Sequence, residues 1–276
     1  MSDVKTSRAK PSTLIVGDCA SYLWVCGESG AWEAMHGLPF ECWYYAACAS
    51  PRGFIVSGGW SDEQEVAHAA CHEFVKEEGK WRALPHMHTA RYRHGSIHHE
   101  GKIIVAGGWK AVDSPIDSVE MLDLESLQWS KLRRLPRALH SPYVVSACKK
   151  LFVISSEDDR SVYEYDSERR AWKEKRRMPD ACYYGSALSV GEWIYVVGGK
   201  ERRCMRYHVI SDAWERLQTP LHEHLSGAAV LNGRKIVLCG GWRSDEIEEY
   251  DVDSDQWSLS KMKMPVKNLM QFAVYV

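Results

Sequence analysis

The stretch Lys102–Trp109, KIIVAGGW, decides the fold: an apolar, largely β-branched run is followed by two glycines and a tryptophan. Variants recur as GFIVSGGW at Gly53–Trp60 and KIVLCGGW at Lys235–Trp242, and WIYVVGGK at Trp193–Lys200 lacks only the tryptophan. Internal repetition is typical of architectures in which each unit buries its apolar face against its neighbours. The phrase therefore predicts a repeated short strand that ends where the glycines turn the chain.

A second set of tryptophans gives the length of the repeat. Successive members are separated by 49, 48, 43, 42 and 43 residues, and a proline follows each of them within eight residues. A tryptophan at the same place in every unit indicates packing between units. The set consists of Trp32, Trp81, Trp129, Trp172, Trp214 and Trp257.

Each unit contains four short segments that have strand character. A small apolar segment comes first, the run ending in Gly-Gly second, a Tyr-Asp type third, and the tryptophan segment fourth. Strands of about five residues separated by turn residues indicate an all-β protein. Because one such unit cannot close its own core, the units must stack, and radial stacking gives a propeller.

The two ends of the chain predict how the ring closes. The N-terminal STLIVGD matches a second strand, and the C-terminal NLMQFAVYV matches a first strand. Pairing them completes the first blade and avoids a long unpaired edge.

The Gly-Gly, Tyr-Asp and Trp pattern resembles the kelch repeat over nearly the whole chain, although Gly17-Asp18 and Ser155-Ser156 replace two glycine pairs. The resemblance implies an all-β, six-bladed β-propeller with four antiparallel strands per blade. We expect one domain, 1–276, whose first blade is closed by the C-terminal strand. The expected blades are 12–39 plus 268–276, 40–86, 89–136, 139–179, 181–220 and 223–265.

Composition excludes several classes of protein. The net charge is −2 with no long basic stripe, which argues against nucleic acid as a partner. No apolar run reaches the roughly 20 residues of a membrane-spanning helix. The polar N-terminus lacks the apolar core of a signal peptide. Nine cysteines without a C-x-x-C spacing favour free thiols in a reducing compartment. We expect a monomeric propeller in the cytoplasm or nucleus.

No motif predicts a metal, a cofactor or a catalytic residue. His68 and His72 have helical spacing, but an extended strand would separate them by about 13 Å. The pairs His86/His88 and His98-His99 suggest solvated loops and turns. No Ser-His-Asp spacing and no phosphate-binding glycine loop before a helix is present.

Two columns of residues predict a binding mouth, meaning the end of the ring where the second strands finish. After the glycine pair stand Trp60, Trp109, Lys200 and Trp242, with Asp18 and Glu157 assigned to the other units. Five residues lie fourteen positions before the glycine pair or its equivalent: Tyr44, Arg93, Ser141, Tyr184 and Ser226. Gln271 completes this first-strand column by alignment of QFAV with SGAA. His140 belongs to the adjoining column, one residue earlier. In kelch propellers similar to this one, these columns line the substrate face, whereas the alternative is packing within the hub.

The resemblance implies a non-catalytic module that binds a protein or peptide partner at this mouth, with Arg93 as its charged centre. The module is similar to the kelch domain of the BTB-BACK-Kelch substrate adaptors of cullin-based ubiquitin ligases. Because the first predicted strand begins about a dozen residues from Met1, we expect an isolated kelch domain or a short kelch protein.

Two alternatives stay open. One is a small-molecule enzyme similar to the sialic acid mutarotases, with Arg93 beside Glu157 or His140. Kelch-type copper oxidases would instead need a Tyr/His copper site that cannot be assigned here. The other alternative is an actin- or cytoskeleton-binding kelch protein, which no residue specifically favours.

Overall fold

Six four-stranded antiparallel sheets and two short hairpins make up the computed structural model, which describes residues 13–27, 29–35 and 37–276. The first fifteen strands are β1 (Leu14–Asp18), β2 (Leu23–Cys26), β3 (Trp32–Met35), β4 (Ala46–Ser50), β5 (Gly53–Ser57), β6 (Trp60–Ser61), β7 (Val66–Ala67), β8 (Cys71–Val75), β9 (Lys80–Leu84), β10 (Gly95–His99), β11 (Lys102–Ala106), β12 (Trp109–Ala111), β13 (Ser114–Pro115), β14 (Val119–Asp123) and β15 (Gln128–Lys131). The others are β16 (Tyr143–Ala147), β17 (Lys150–Ile154), β18 (Val162–Asp166), β19 (Ala171–Glu174), β20 (Gly185–Val190), β21 (Trp193–Gly198), β22 (Arg203–His208), β23 (Ala213–Arg216), β24 (Ala228–Asn232), β25 (Lys235–Gly241), β26 (Ser244–Asp251), β27 (Gln256–Lys263) and β28 (Met270–Tyr275).

The sheets are the blades of a propeller. In blades 2 to 6 the strands lie in chain order from the axis outwards, as in β10-β11-β14-β15. The innermost strands contact one another in the cyclic order β28, β4, β10, β16, β20, β24 and back to β28. No described helix is long or apolar enough to cross a membrane. The predicted all-β, six-bladed propeller is therefore confirmed.

The C-terminal strand closes the first blade. Its sheet has the order β28-β1-β2-β3, and β28 pairs antiparallel with β1 from Leu14↔Tyr275 to Asp18↔Met270. Thr13 and Val276 exchange two further backbone hydrogen bonds, of 3.1 and 3.0 Å. The predicted closure is confirmed, since the two ends of the chain share one sheet.

The hydrophobic core lies between the blades. The cluster between blades 2 and 3, for example, joins Ile55 and Cys71 to Ile103, Val105 and Leu122, and all five are fully buried. Burying one aliphatic side chain of this size contributes about 1.5–3 kcal/mol. Each blade thus completes its core with the next, as the repeat pattern predicts.

Four of the six repeat tryptophans connect successive blades by hydrogen bonds, whereas the indole nitrogens of Trp32 and Trp81 are buried without a partner in the described structure. Trp129 Nε1 donates to the carbonyl oxygen of Pro85 at 2.7 Å, and Trp172 Nε1 donates to that of Arg133 at 2.7 Å. Trp214 and Trp257 repeat the contact in the later blades. These side chains have the structural role expected of them.

The glycine pairs allow the entry loops to approach the second strands closely. Gly58 and Gly107 both have φ +63°, a left-handed conformation that favours glycine. A Cβ on Gly58 would lie 2.3 Å from the carbonyl oxygen of Arg91, in the loop that enters the next blade. Glycine is therefore required at these positions both by the left-handed turn and by the close approach of the neighbouring backbone.

Eight of the nine cysteines are buried and Cys148 is exposed; no pair of them is bonded. Burial raises the pKa of Cys48 and of Cys239 to about 12. Such thiols stay protonated, and therefore poorly reactive, near neutral pH.

The structure corrects two expectations about histidines. His68 lies in the loop before β8, and its ring and that of His72 both pack on Phe40, so the two do not share one extended strand. His98 and His99 are half-buried in β10, where His99 Nδ1 lies 2.8 Å from Ser146 Oγ of the next blade. A solvated turn was therefore the wrong prediction for this pair. The described residues contain no cluster of three or more groups that could hold a metal ion.

Candidate partner-binding mouth

A cavity of about 270 Å³ opens along the axis of the propeller. It is lined by the beginnings of the innermost strands and by the residues just before them. The structure brings together in its wall all six members of the predicted first-strand column, namely Tyr44, Arg93, Ser141, Tyr184, Ser226 and Gln271.

Backbone hydrogen bonds join this column from blade to blade. The N–H of Arg93 donates to the carbonyl oxygen of Tyr44 at 2.8 Å, and that of Ser141 donates to Arg93 at 2.8 Å. Ser226 likewise donates to Tyr184 at 2.7 Å. The backbone is in the left-handed region, with φ between 49° and 55°, at all five of these positions: Tyr44, Arg93, Ser141, Tyr184 and Ser226. This conformation costs a non-glycine residue about 1–3 kcal/mol and persists where the surroundings fix it, which is common at binding sites.

The sixth position departs from the pattern because of a β-bulge. The pairing of β1 with β28 shifts between Gly17 and Asp18. As a result Met270, not Gln271, donates the blade-to-blade bond, to Ser226 at 2.8 Å. Both residues border the cavity, but Met270 is buried in a core cluster whereas Gln271 is only half-buried.

Arg93 stands between two tyrosine rings. Its guanidinium carbon lies 4.0 Å from the ring centroid of Tyr44 and 5.7 Å from that of Tyr184. Among the described residues, its side chain has no ion pair or hydrogen bond. The rings hold the cation by cation–π attraction, about 0.5–1 kcal/mol at an exposed site, and leave its N–H donors for a ligand.

Four rings form a row along the mouth beside Arg93, which we call the aromatic row. Trp60 and Tyr92 have centroids 4.9 Å apart, Tyr92 and Trp109 6.5 Å, and Trp109 and His140 5.3 Å. Trp60 also exchanges two backbone bonds with Trp43, and Trp109 exchanges two with Tyr92. The row therefore crosses blades 2, 3 and 4 on a backbone that is firmly paired.

The other predicted post-glycine residues lie at the same end of the ring without joining the row. The Lys200 N–H donates to Tyr183 at 3.1 Å, and the Trp242 N–H donates to Leu225 at 2.8 Å. Both side chains are exposed, and Arg243 lies 5.6 Å from the Trp242 ring. The aromatic row therefore covers blades 2 to 4, and exposed Lys200 and Trp242 stand separately on blades 5 and 6.

Two acidic residues expected at the mouth have local partners instead. Asp18 is buried, and its Oδ1 accepts hydrogen bonds from the amides of Ala20 and Tyr22 at 2.9 and 3.0 Å. Burial raises the pKa of Asp18, and these bonds only partly offset it. Glu157 Oε1 lies 3.4 Å from His140 Nε2. The pairing of Arg93 with Glu157 that a mutarotase-like site would use is therefore not formed.

Sequence reasoning missed a buried ion pair behind the mouth. Arg91 is fully buried and donates to Glu120 at 2.7 Å, to the Ser118 carbonyl oxygen at 3.0 Å and to the Gly107 carbonyl oxygen at 3.0 Å. Nothing in the sequence distinguishes Arg91 from Arg93, because residues two apart in an extended segment point to the same face. The left-handed backbone of Arg93, φ 51°, interrupts the extended conformation there.

It also missed the two hairpins that carry the tryptophans, β6–β7 and β12–β13. The available signal was repeat length, since the second and third units are about six residues longer than the later ones. Insertions in a repeat map to loops on one face, often the binding face.

Comparison with known proteins agrees with this geometry. The family model for the Kelch motif matches residues 90–136. Mouse Kelch-like protein 38 is 26% identical over 257 residues, covering 87% of this chain and 44% of that protein. Mouse Kelch-like protein 35 is 27% identical, covering 77% of this chain and 37% of that protein. Human Kelch repeat and BTB domain-containing protein 13 is 29% identical, covering 50% of this chain and 31% of that protein.

The chain thus spans less than half the length of these relatives. Among solved structures, YjhT superposes with a TM-score of 0.75 at 14% identity, covering 92% of this chain and 95% of that one. This last similarity concerns the fold alone.

Proposed function

We propose that this chain, which belongs to the kelch-repeat β-propellers, is a non-catalytic protein-interaction module that binds an extended segment of a protein partner at its mouth. The observation that carries the proposal is Arg93, which stands between Tyr44 and Tyr184 without an ion pair among the described residues. A charged donor fixed by aromatic rings inside a cavity is suited to an incoming carboxylate.

The chemistry of such a contact is well defined. A guanidinium can bind a carboxylate through two parallel hydrogen bonds, which gives direction as well as energy. Aromatic side chains contribute contact area with few rotatable bonds, and tryptophan, tyrosine and arginine dominate binding hot spots. The mouth offers all three types side by side, in Trp60, Tyr92 and Arg93.

The finer proposal is that the domain recognises substrates for a cytoplasmic cullin-based ubiquitin ligase. Its support is the similarity to kelch-like proteins. Proteins recovered with the wild-type chain from a cell lysate, and not with its Arg93→Ala variant, should accumulate when the chain is depleted from cells. Unchanged abundance of every such protein would contradict the adaptor role while leaving the binding module intact.

The mouth itself is tested with a recovered partner. Arg93→Ala should weaken binding about thirtyfold or more, because hot-spot truncations cost about 2 kcal/mol or more. The matched control is Arg82→Ala, which removes an exposed arginine from the outer strand β9. Trp129→Ala calibrates folding damage, at roughly 3–5 kcal/mol for a large aromatic truncation.

Two results would overturn the proposed function. One is full binding by Arg93→Ala, Trp60→Ala and Trp242→Ala together. The other is that Arg93→Ala unfolds the chain as severely as Trp129→Ala, since Arg93 would then be a structural ion. Isothermal titration and thermal denaturation on the same samples distinguish these outcomes.

A further inference from the structure

Two adjoining hairpins form a wall at one side of the mouth. The first consists of β6 and β7 with the turn at residues 62–65, and the second of β12 and β13 with the turn at 112–113. Strands β7 and β12 contact each other, so the hairpins stand together. Their first strands begin with Trp60 and Trp109, two members of the aromatic row. We call this pair of hairpins the hairpin wall.

The hairpin wall carries an excess of negative charge. Its exposed acidic residues are Asp62, Glu63, Glu65 and Asp113, and its only basic residue is Lys110. None of the four carboxylates has an ion-pair partner in the part of the chain that the structure describes. Uncompensated carboxylates on one edge of a cleft attract a cationic group of the ligand.

Asp113 connects this charge to the aromatic row. Burial raises the pKa of Tyr92, Arg93 opposes the shift, and the carboxylate of Asp113 adds to it. Asp113 lies in the turn of the second hairpin, whose first strand begins with Trp109 of the row. In the corresponding loops of blades 5 and 6, basic Lys200 and Arg243 stand close in sequence to acidic residues. In the acidic loop of blade 4, Glu157 and Asp159 pair with His140 and Arg137.

We propose that the hairpin wall and the aromatic row bind a lysine or arginine side chain of the partner, next to the acidic residue held by Arg93. This inference rests on the proposed function, since it assigns a second contact to the same bound segment. The faces of indole and phenol rings attract a cation, and nearby carboxylates strengthen that attraction. Arg93 would repel the same cation, so the basic residue binds towards the wall. The occupant is thus an extended peptide that carries both charges in a fixed order.

A library of random dodecapeptides displayed on phage tests this inference on the full chain. Peptides selected by the wild type should be enriched in Asp or Glu and in Lys or Arg, at a preferred spacing and in one order. A chemically synthesised peptide from the selection should bind Asp62→Asn/Glu63→Gln/Glu65→Gln about tenfold more weakly, since exposed ion pairs contribute modestly. Raising the salt concentration should reduce that difference.

A triple variant on the opposite face, Glu77→Gln/Glu125→Gln/Glu168→Gln, removes the same number of exposed charges and should bind as the wild type does. Selection of acidic peptides without basic enrichment, with unchanged affinity for the wall variant, would overturn this inference and leave the proposed function standing. Failure to select any peptide whose binding depends on Arg93 would overturn both. Selection of basic peptides by the wall variant as well would show that the carboxylates have no part in recognition.

Discussion

At the residue scale, different side chains in different blades hold the entry loop of a blade against its second strand. In blade 3, Arg91 donates to the carbonyl oxygen of the first glycine of the pair and to Glu120. In blade 6, His224 takes the corresponding place, with Nδ1 2.7 Å from the glycine carbonyl oxygen and Nε2 3.2 Å from Glu248. In blade 5, the thiol of Cys182 donates to the same carbonyl at 3.6 Å. The entry loop is thereby fixed to the second strand in each case.

The buried carboxylate of Glu248 makes the stability of blade 6 depend on pH. Burial alone would raise its pKa, but hydrogen bonds from His224, the Leu221 amide and His222 outweigh burial and lower the pKa below 4.5. A lowered pKa means stability that is present above pH 4.5 and lost as the pH falls through the folded-state pKa.

Glu248→Gln should therefore be less stable than the wild type at pH 7, and the difference should shrink below pH 4.5. Urea denaturation at several pH values measures it, and Glu125→Gln reports the effect of removing one exposed charge. A difference that stays constant from neutral to acidic pH would show that the charge of Glu248 contributes nothing.

The indole hydrogen bonds between blades can be measured by a matched pair of substitutions. Trp129 Nε1 donates to Pro85, whereas Trp81 Nε1 is buried without a partner in the described structure. Trp129→Phe removes ring area and a hydrogen bond that contributes about 0.5–1.5 kcal/mol. Trp81→Phe removes similar area and an unsatisfied donor, so it should cost less. Equal losses of unfolding free energy would show that the indole bond adds nothing to the packing of the ring.

At the element scale, the glycine pair of the second strand combines a left-handed backbone with close packing. Gly107 has φ +63°, and a Cβ there would lie 2.6 Å from the carbonyl oxygen of Leu139. Gly101, in the turn before β11, has φ +76° and no atom near its Cβ position. Comparing alanine substitutions at the two glycines therefore separates the cost of the left-handed backbone from the cost of the steric clash.

Gly101→Ala should lose about 1–2 kcal/mol for the left-handed conformation alone. Gly107→Ala should lose that amount and a further 1–3 kcal/mol for the forced shift of backbone. Chemical denaturation of both variants gives the comparison. If both lose the same stability, the entry loop moves freely and the close approach is not what selects glycine.

The sequence predicts the regular elements well because each strand repeats a local pattern six times. Trp spacing gives the repeat, and Gly-Gly gives the end of the second strand. The hairpin β12–β13 was not predicted, since its strands are too short for alternation to show. The bulge beside Asp18 was likewise invisible, because sequence alignment assumes an uninterrupted ladder. It placed Gln271 in the first-strand column, where Met270 makes the blade-to-blade bond.

The mouth was predictable only in part. The column that contains Arg93 follows from the repeat, because residues at one place in each unit meet around one axis. Trp60, Trp109 and His140 were predicted to lie at the mouth, but their arrangement with Tyr92 in one row was not, because it depends on contacts between rings of different blades. The inward direction of Asp18 also depends on a local turn that its own carboxylate caps.

At the scale of the whole molecule, the ring is held by bonds between residues distant in sequence. Met270 donates to Ser226 in the neighbouring blade, and Thr13 pairs with Val276. Phe272 packs 5.1 Å from Phe54 of blade 2, so β28 also contributes to the core on its other side. Because no blade closes its core alone, loss of one inner strand exposes two inter-blade surfaces and the edge of β1.

Deleting residues 268–276 should therefore abolish the soluble monomer, because β1 loses its inner partner and Phe54 loses its contact with Phe272.

A circular permutant tests whether the covalent order of the chain matters or only the presence of these residues. It joins Val276 to Thr13 by a short glycine–serine linker and begins at Arg234, in the exposed turn between β24 and β25. All strands stay in place, so the permutant should remain monomeric with a Tm within a few degrees of the wild type. Light scattering and thermal denaturation measure both. A truncated chain that is monodisperse at an unchanged Tm would show that the ring holds without β28, since its five complete blades would then suffice.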